Sequence, residues 1–158
     1  MKNIAIIIFL IFTNFLFSQS KEETKEWIIE KYNNYERVNQ YNQKFDLTFE
    51  EDYLIYEYLG SLFKLKIKDI KKIELKKERF DNDDKEGWVS IYIYFQKGKL
   101  STKGLNENVF SNAESDTSFK IPLSSELINE GYKDRMEKAI IHLVKLYGGN
   151  ATIKKEAF

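Results

Sequence analysis

From Lys44 the chain alternates. Phe45, Leu47 and Phe49 are separated by Asp46, Thr48 and Glu50, a period of two that predicts a strand with one wet face. Similar runs follow from Tyr53 to Gly60, Leu62 to Lys68, Lys72 to Lys77 and Trp88 to Gln96. Three of the connections, Glu51-Asp52, Gly60-Ser61 and Asp69-Ile70-Lys71, are too short for crossover units, so an antiparallel meander is expected. The fourth, Arg79 to Gly87, is polar. Between Lys97 and Ser118 only one weak strand can be placed, Lys99 to Lys103, and a loop that long in a small domain is functional or conceals an element. The run Ser118 to Leu123 gives a last strand, and Pro122, which lacks an amide donor, puts it at an edge or a strand end.

Helical spacing brackets these strands. Ser20 and Glu23 have the separation of a capping box, each side chain satisfying a backbone donor at a helix start. Trp27, Ile28, Tyr32 and Tyr35 then share one face, with Lys25, Glu26, Glu30 and Asn33 on the others. A second helix is expected from about Tyr132 to Tyr147, ended by Gly148-Gly149 in a left-handed cap. At 100 degrees per residue its apolar face is Met136, Ala139, Ile140, Leu143 and Tyr147, flanked by Val144 and Leu146. The single histidine of the chain, His142, projects from the opposite, solvated side near Arg135, Lys138 and Lys145, so it is read as structural.

The first residues change where this domain is expected to work. Lys2 precedes nine uninterrupted apolar residues, Ile4 to Phe12, and small residues follow at Ser18 and Ser20. That is the pattern of a signal peptide over residues 1–18, too short in its unbroken part to span a bilayer as ~20 helical residues. A retained membrane anchor is the competing reading. No transmembrane segment is then expected after processing, and the mature product is periplasmic or extracellular. The chain contains no cysteine, so neither a disulfide nor a lipid-anchoring cysteine is possible and stability must come from the core. Cleavage after Ser18 leaves 24 basic against 25 acidic residues, a balance that argues against general capture of nucleic acid.

The candidate chemistry is sparse. Lys64, Lys66 and Lys68 alternate with Phe63, Leu65 and Ile67, so three ammonium groups line one strand face, and Lys71 and Lys72 extend the row at the turn. The set is a candidate anion-binding face for an anionic lipid or a polysaccharide; otherwise it is a solvated face that discourages edge pairing. Trp88, Tyr92 and Tyr94 share a face of their strand opposite Val89, Ile91, Ile93 and Phe95. They are a candidate aromatic platform for a sugar or a partner, unless the Trp27 face of the first helix covers them. The stretch Asp81 to Gly87 resembles a calcium loop but has Lys85 and Glu86 at its fifth and sixth positions, where an oxygen ligand and glycine are required. Asn150-Ala151-Thr152 is a glycosylation sequon in form only. One histidine and no cysteine supply no nucleophile-base pair or metal cluster, and carboxylate pairs such as Glu50-Glu51 fall in polar turn sequence. No catalytic residue, cofactor or metal is implied.

A helix, an antiparallel meander and a capped amphipathic C-terminal helix resemble the pleckstrin-homology-like architecture, a half-open barrel plugged by a helix. The order of elements from about Lys44 to Gly149 carries the resemblance, and the stretch "RMEKAIIHLVKLYGG", Arg135 to Gly149, looks like the closing helix of small exported bacterial domains of this type. It implies an α+β fold and a non-enzymatic binding or scaffold module with an unknown protein or envelope surface as partner. In eukaryotic relatives of that architecture a basic motif of similar residue type grips phosphoinositide headgroups. The expected organisation is a signal peptide (1–18), an N-terminal helix and connection (19–43), the sheet with its C-terminal helix (44–149) and a tail (150–158). The alternative is a small-ligand carrier with a lipocalin-like barrel interior.

Overall fold

The first helix, α1 (Lys21–Asn34), begins where two side chains satisfy its free amides. In the computed structural model, which describes residues 20–37, 45–78, 88–104 and 106–154, the Ser20 hydroxyl accepts from the Glu23 amide at 3.1 Å and the Glu23 carboxylate accepts from the Ser20 amide at 2.7 Å. The capping box is therefore complete. Thr24, Ile28 and Tyr32 form its buried stripe, and the Tyr32 hydroxyl donates to the Phe45 carbonyl at 2.7 Å. Trp27 is only partly buried, with the Arg135 guanidinium 5.5 Å from its ring. The expected leader, the turn Arg79 to Gly87 and the failed calcium loop within it lie outside the described residues.

The expected strands are antiparallel neighbours but form two sheets, and the expected meander breaks where the chain passes from one to the other. β1 (Asp46–Glu50), β2 (Tyr53–Tyr58) and β3 (Ser61–Lys66) pair in sequence through two-residue turns. Leu59 (φ 49°) and Gly60 (φ 75°) make the second turn, both in the left-handed region that the twist of a two-residue hairpin demands. A 3-10 turn, Ile67–Asp69, then carries the chain out of this sheet, with the Ile67 amide tied to the Asp52 carbonyl at 2.9 Å. β4 (Ile70–Glu78) starts a second sheet by pairing with β5 (Trp88–Phe95), and β5 pairs with β8 (Ser118–Ser124). Ile70, expected in a connection, is the first residue of β4.

The long polar segment holds the crossing between sheets. β6 (Leu100–Lys103) returns to pair with β3, and β7 (Ser111–Asn112) extends that edge. The orders are β1-β2-β3-β6-β7 and β8-β5-β4-β9. β9 (Thr152–Ile153) lies parallel to Lys72 and Ile73, so ordered structure continues past Gly149, beyond the expected start of a tail. Pro122 sits on the edge strand β8, as its missing donor requires. That edge is capped in turn: Ser124 donates to the Tyr35 carbonyl at 2.7 Å and Glu36 bridges Leu123.

After a short helix α2 (Glu126–Asn129), α3 (Lys133–Leu146) closes the domain. It buries Met136, Glu137, Ile140, Leu143 and Val144. The Gly148 amide donates to Lys145 and the Gly149 amide to Val144, both at 2.9 Å, the paired bonds of a Schellman end. Glu137 serves a different purpose, accepting from the Leu75 amide at 3.3 Å, where β9 has ended and β4 has no strand neighbour on that side. Burial pushes its carboxyl up, the Leu75 amide and Lys133 working against that. Among the described residues no helix is long and apolar enough to cross a membrane.

The inner faces of both sheets and the apolar stripes of α1 and α3 form one hydrophobic cluster. Its void, lined by Leu54, Ile91, Met136 and Leu143 among others, is about 10 Å³. At one end rings stack: Tyr56 lies 6.0 Å from Phe119, 6.3 Å from Phe63 and 6.4 Å from Phe45. The Tyr56 hydroxyl is buried with no hydrogen-bond partner among the described residues, and burial raises its pKa. Removing an unsatisfied hydroxyl removes its desolvation penalty, so Tyr56→Phe is expected to match or exceed the native stability by up to about 1 kcal/mol. A denaturant midpoint lower than native would show that the hydroxyl has a partner.

Candidate functional site

The alternation that buries one face of each sheet exposes the other, and the two exposed faces hold the candidate residues. On the first sheet the register places Thr48, Ile55, Lys64, Ser101 and Asn112 in one row across five strands. Lys66 lies opposite Tyr53 on the outward row to one side of it, and Lys103 lies opposite Leu62 on the outward row to the other side. The Lys64 ammonium is 4.3 Å from the centre of the Tyr53 ring and 5.5 Å from that of Phe110. Lys66 is 5.4 Å from Tyr53, and Lys103 is 5.9 Å from Phe110. Each ring therefore has two cations beside it, and all five side chains are half-buried.

Such contacts limit the lysines. An ammonium over an aromatic face gains about 0.5–1 kcal/mol at exposed sites and gives up rotamer freedom, so the cations are held near the sheet rather than swept through solvent. A hydrogen bond with Tyr53 raises the Lys66 pKa, with the charges of Asp52 and Asp69 adding to it. Among the described residues none of the three lysines is in a salt bridge.

The expected row of five lysines is not continuous. Lys68 belongs to the 3-10 turn, where the strand alternation ends, and it is exposed. Lys71 lies in the irregularity between Ile70 and Lys72, at the start of β4 in the other sheet, and Lys72 pairs opposite Tyr94. What remains together is Lys64 and Lys66, to which the structure adds Lys103, Tyr53 and Phe110. Lys103 follows from extending period two along its strand. Phe110 had one signal, a lone aromatic in a polar stretch.

The second sheet presents Trp88, Tyr92 and Tyr94 outward from β5, and α1 does not cover them. Helix α1 packs on α3 and β1 instead. Trp88 is buried under the Arg37 guanidinium, 3.9 Å from its ring. Tyr92 and Tyr94 stack with centroids 6.3 Å apart, half-buried. Their hydroxyls are engaged, Tyr92 donating to Glu78 and Tyr94 to Glu74 at 2.8 Å. The Glu78 hydrogen bond pushes Tyr92 up to about 12, with burial adding to it. Lys154, just past β9, donates to the same Glu74 oxygen as Tyr94, at 3.0 Å. This face is a tied network of side chains rather than a row of free rings.

Glu74 is the buried centre of that network. Burial pushes its carboxyl up, and the hydrogen bonds from Lys154 and Tyr94 outweigh this and hold it below the usual carboxylate range. A carboxyl depressed by folding stabilises the protein above its unfolded pKa, and that contribution is lost as pH falls through the folded value. Wild-type stability should therefore drop more steeply than that of Glu74→Gln as the pH is lowered from about 4.5. Parallel slopes in urea titrations over that range would show that the network does not favour the ionised form.

By helical spacing His142 falls opposite the buried stripe of α3, but it is half-buried and has an interaction partner rather than being fully solvated. The described residues contain no group of three or more potential metal ligands. Comparison with protein-family models, with curated proteins and with solved structures finds no match for this chain.

Proposed function

We propose that the chain is an exported, non-enzymatic binding or scaffold domain of pleckstrin-homology-like build that works from its outer surface. One observation carries this reading: the void at the centre of the core, as the described residues border it, is small. A void of about 10 Å³ is far below the ~300 Å³ at which pockets for small organic ligands begin, and this favours a surface module over the lipocalin-like carrier. The antiparallel strands, and the C-terminal helix with its apolar stripe against the interior, support the architectural part. The apolar run Ile4 to Phe12 and the small residues behind it support export.

Native mass spectrometry of the protein recovered from the cell envelope or the medium tests both parts. The expected mass begins at Gln19 or within two residues of it, with no small molecule retained. Retention of Met1 would overturn export, and a stoichiometric co-purifying lipid or pigment would overturn the surface-acting reading in favour of a carrier.

A further inference from the structure

We propose that the strip formed by Lys64, Lys66 and Lys103 with Tyr53 and Phe110 binds an acidic polysaccharide, one negatively charged sugar chain lying along β3 and β6. The inference rests on the reading of the domain as a surface-acting binding module and names its ligand class.

The charge on this face is divided by strand. The cations stand on β3 and β6, whereas the outward acids Asp46 and Glu50 stand on β1 and Glu57 on β2, all three exposed; the acids beside the strip are at its ends, Asp52 and Asp69 near Lys66 and Glu107 in the turn after Lys103. The basic part is thus two strands wide, about 10 Å with its side chains. A bilayer surface would cover the whole face and set anionic headgroups against Glu50 and Glu57. A single narrow chain can follow the strip and avoid them. β3 is hydrogen-bonded on both sides, to β2 and to β6, so an acidic peptide finds no strand edge there to extend. Recognition must come from side chains. A uronic acid unit supplies what they lack: a carboxylate to accept from the ammonium groups, and a ring with an apolar C–H face to lie on the half-exposed parts of Tyr53 and Phe110. Lysines already held against rings lose less freedom on binding than free ones, which favours a ligand of many weak contacts.

Calorimetric titration of the exported protein with oligogalacturonate, neutral dextran, polyglutamate and phosphatidylglycerol vesicles tests this. Oligogalacturonate should bind, and bind less well as salt screens the charges, while dextran should not. The combined variant Lys64→Gln, Lys66→Gln, Lys103→Gln should lose about tenfold or more in affinity if each exposed pair contributes its usual share. Its melting temperature should fall moderately with the lost ammonium–ring contacts, while its circular dichroism at the titration temperature should match that of the native protein. The control Lys71→Gln, Lys72→Gln on the other sheet should bind as wild type does, and Glu57→Gln, which removes a repelling charge, should bind more tightly. No binding of oligogalacturonate, binding indifferent to the triple change, or equal or tighter binding of polyglutamate or of the vesicles would each overturn the proposal. None of these results bears on whether the interior carries a ligand, which the native mass decides separately.

Discussion

Leu143→Ala should lower the stability of the protein by ~2–5 kcal/mol, the usual cost of emptying a leucine from a closed core. Leu143 is 1% exposed, belongs to the hydrophobic cluster and borders its void, so the lost methyl groups enlarge a space already present. Collapse around the gap is opposed on several sides, because α3 packs on α1, β4, β9 and the 3-10 turn. Against a usual domain stability of ~5–15 kcal/mol, a loss of this size is large. The chain has no cysteine, so no disulfide compensates. Urea titration of the two proteins measures the difference. An unchanged midpoint would mean that α3 folds independently of the sheets, and the architecture would be wrong.

Gly149→Ala is the second large effect, expected to cost ~1–3 kcal/mol by overpacking. A β-carbon at Gly149 would meet the Lys68 carbonyl oxygen at 2.6 Å, the Val144 Cγ1 at 2.7 Å and the Lys68 Cα at 2.8 Å. Two of these atoms are backbone in the 3-10 turn, so a side-chain rotation cannot relieve the contact. The neighbouring Gly148 has a different constraint. Its φ of +77° favours glycine, yet a β-carbon there has open space around it. Circular dichroism melts of the two alanine variants separate backbone strain from collision. Native stability in Gly149→Ala would show that the end of α3 and the 3-10 turn do not meet as described.

That contact also explains what could be read from sequence and what could not. The capping box, most of the strands and the glycine end of α3 are local patterns with local physical causes, and each appears at its expected residues; the stripe of α1 keeps Ile28 and Tyr32 but takes in Thr24 and leaves Trp27 only partly buried. Pairing partners are not local. Alternation in "KLKIKDIKK" continues without a visible break through Lys68, yet the chain turns at Ile67–Asp69 and begins a new sheet. The expected five-lysine row divided there. β7 and β9 have two residues each and no apolar pattern; their positions come from the backbone groups of β6 and β4. Trp88 was readable as outward-facing, but its cover, Arg37, lies 51 positions earlier in the chain. Nothing in the alternation of β5 points to it. The surviving site shows the same limit, since Lys64 and Lys66 share a strand, whereas Lys103 joins them through the register of β6 on β3.

The central claim is that this domain meets its ligand on an outer sheet face over a core with only a small void. Amide chemical-shift mapping of the isotopically labelled protein during titration with oligogalacturonate tests it most directly. Perturbations should gather on Tyr53, Lys64, Lys66, Ser101, Lys103 and Phe110, leaving the amides of Ile28, Ile91, Met136 and Leu143 unmoved. Shifts concentrated on those core amides instead would place the ligand inside the fold and contradict the claim.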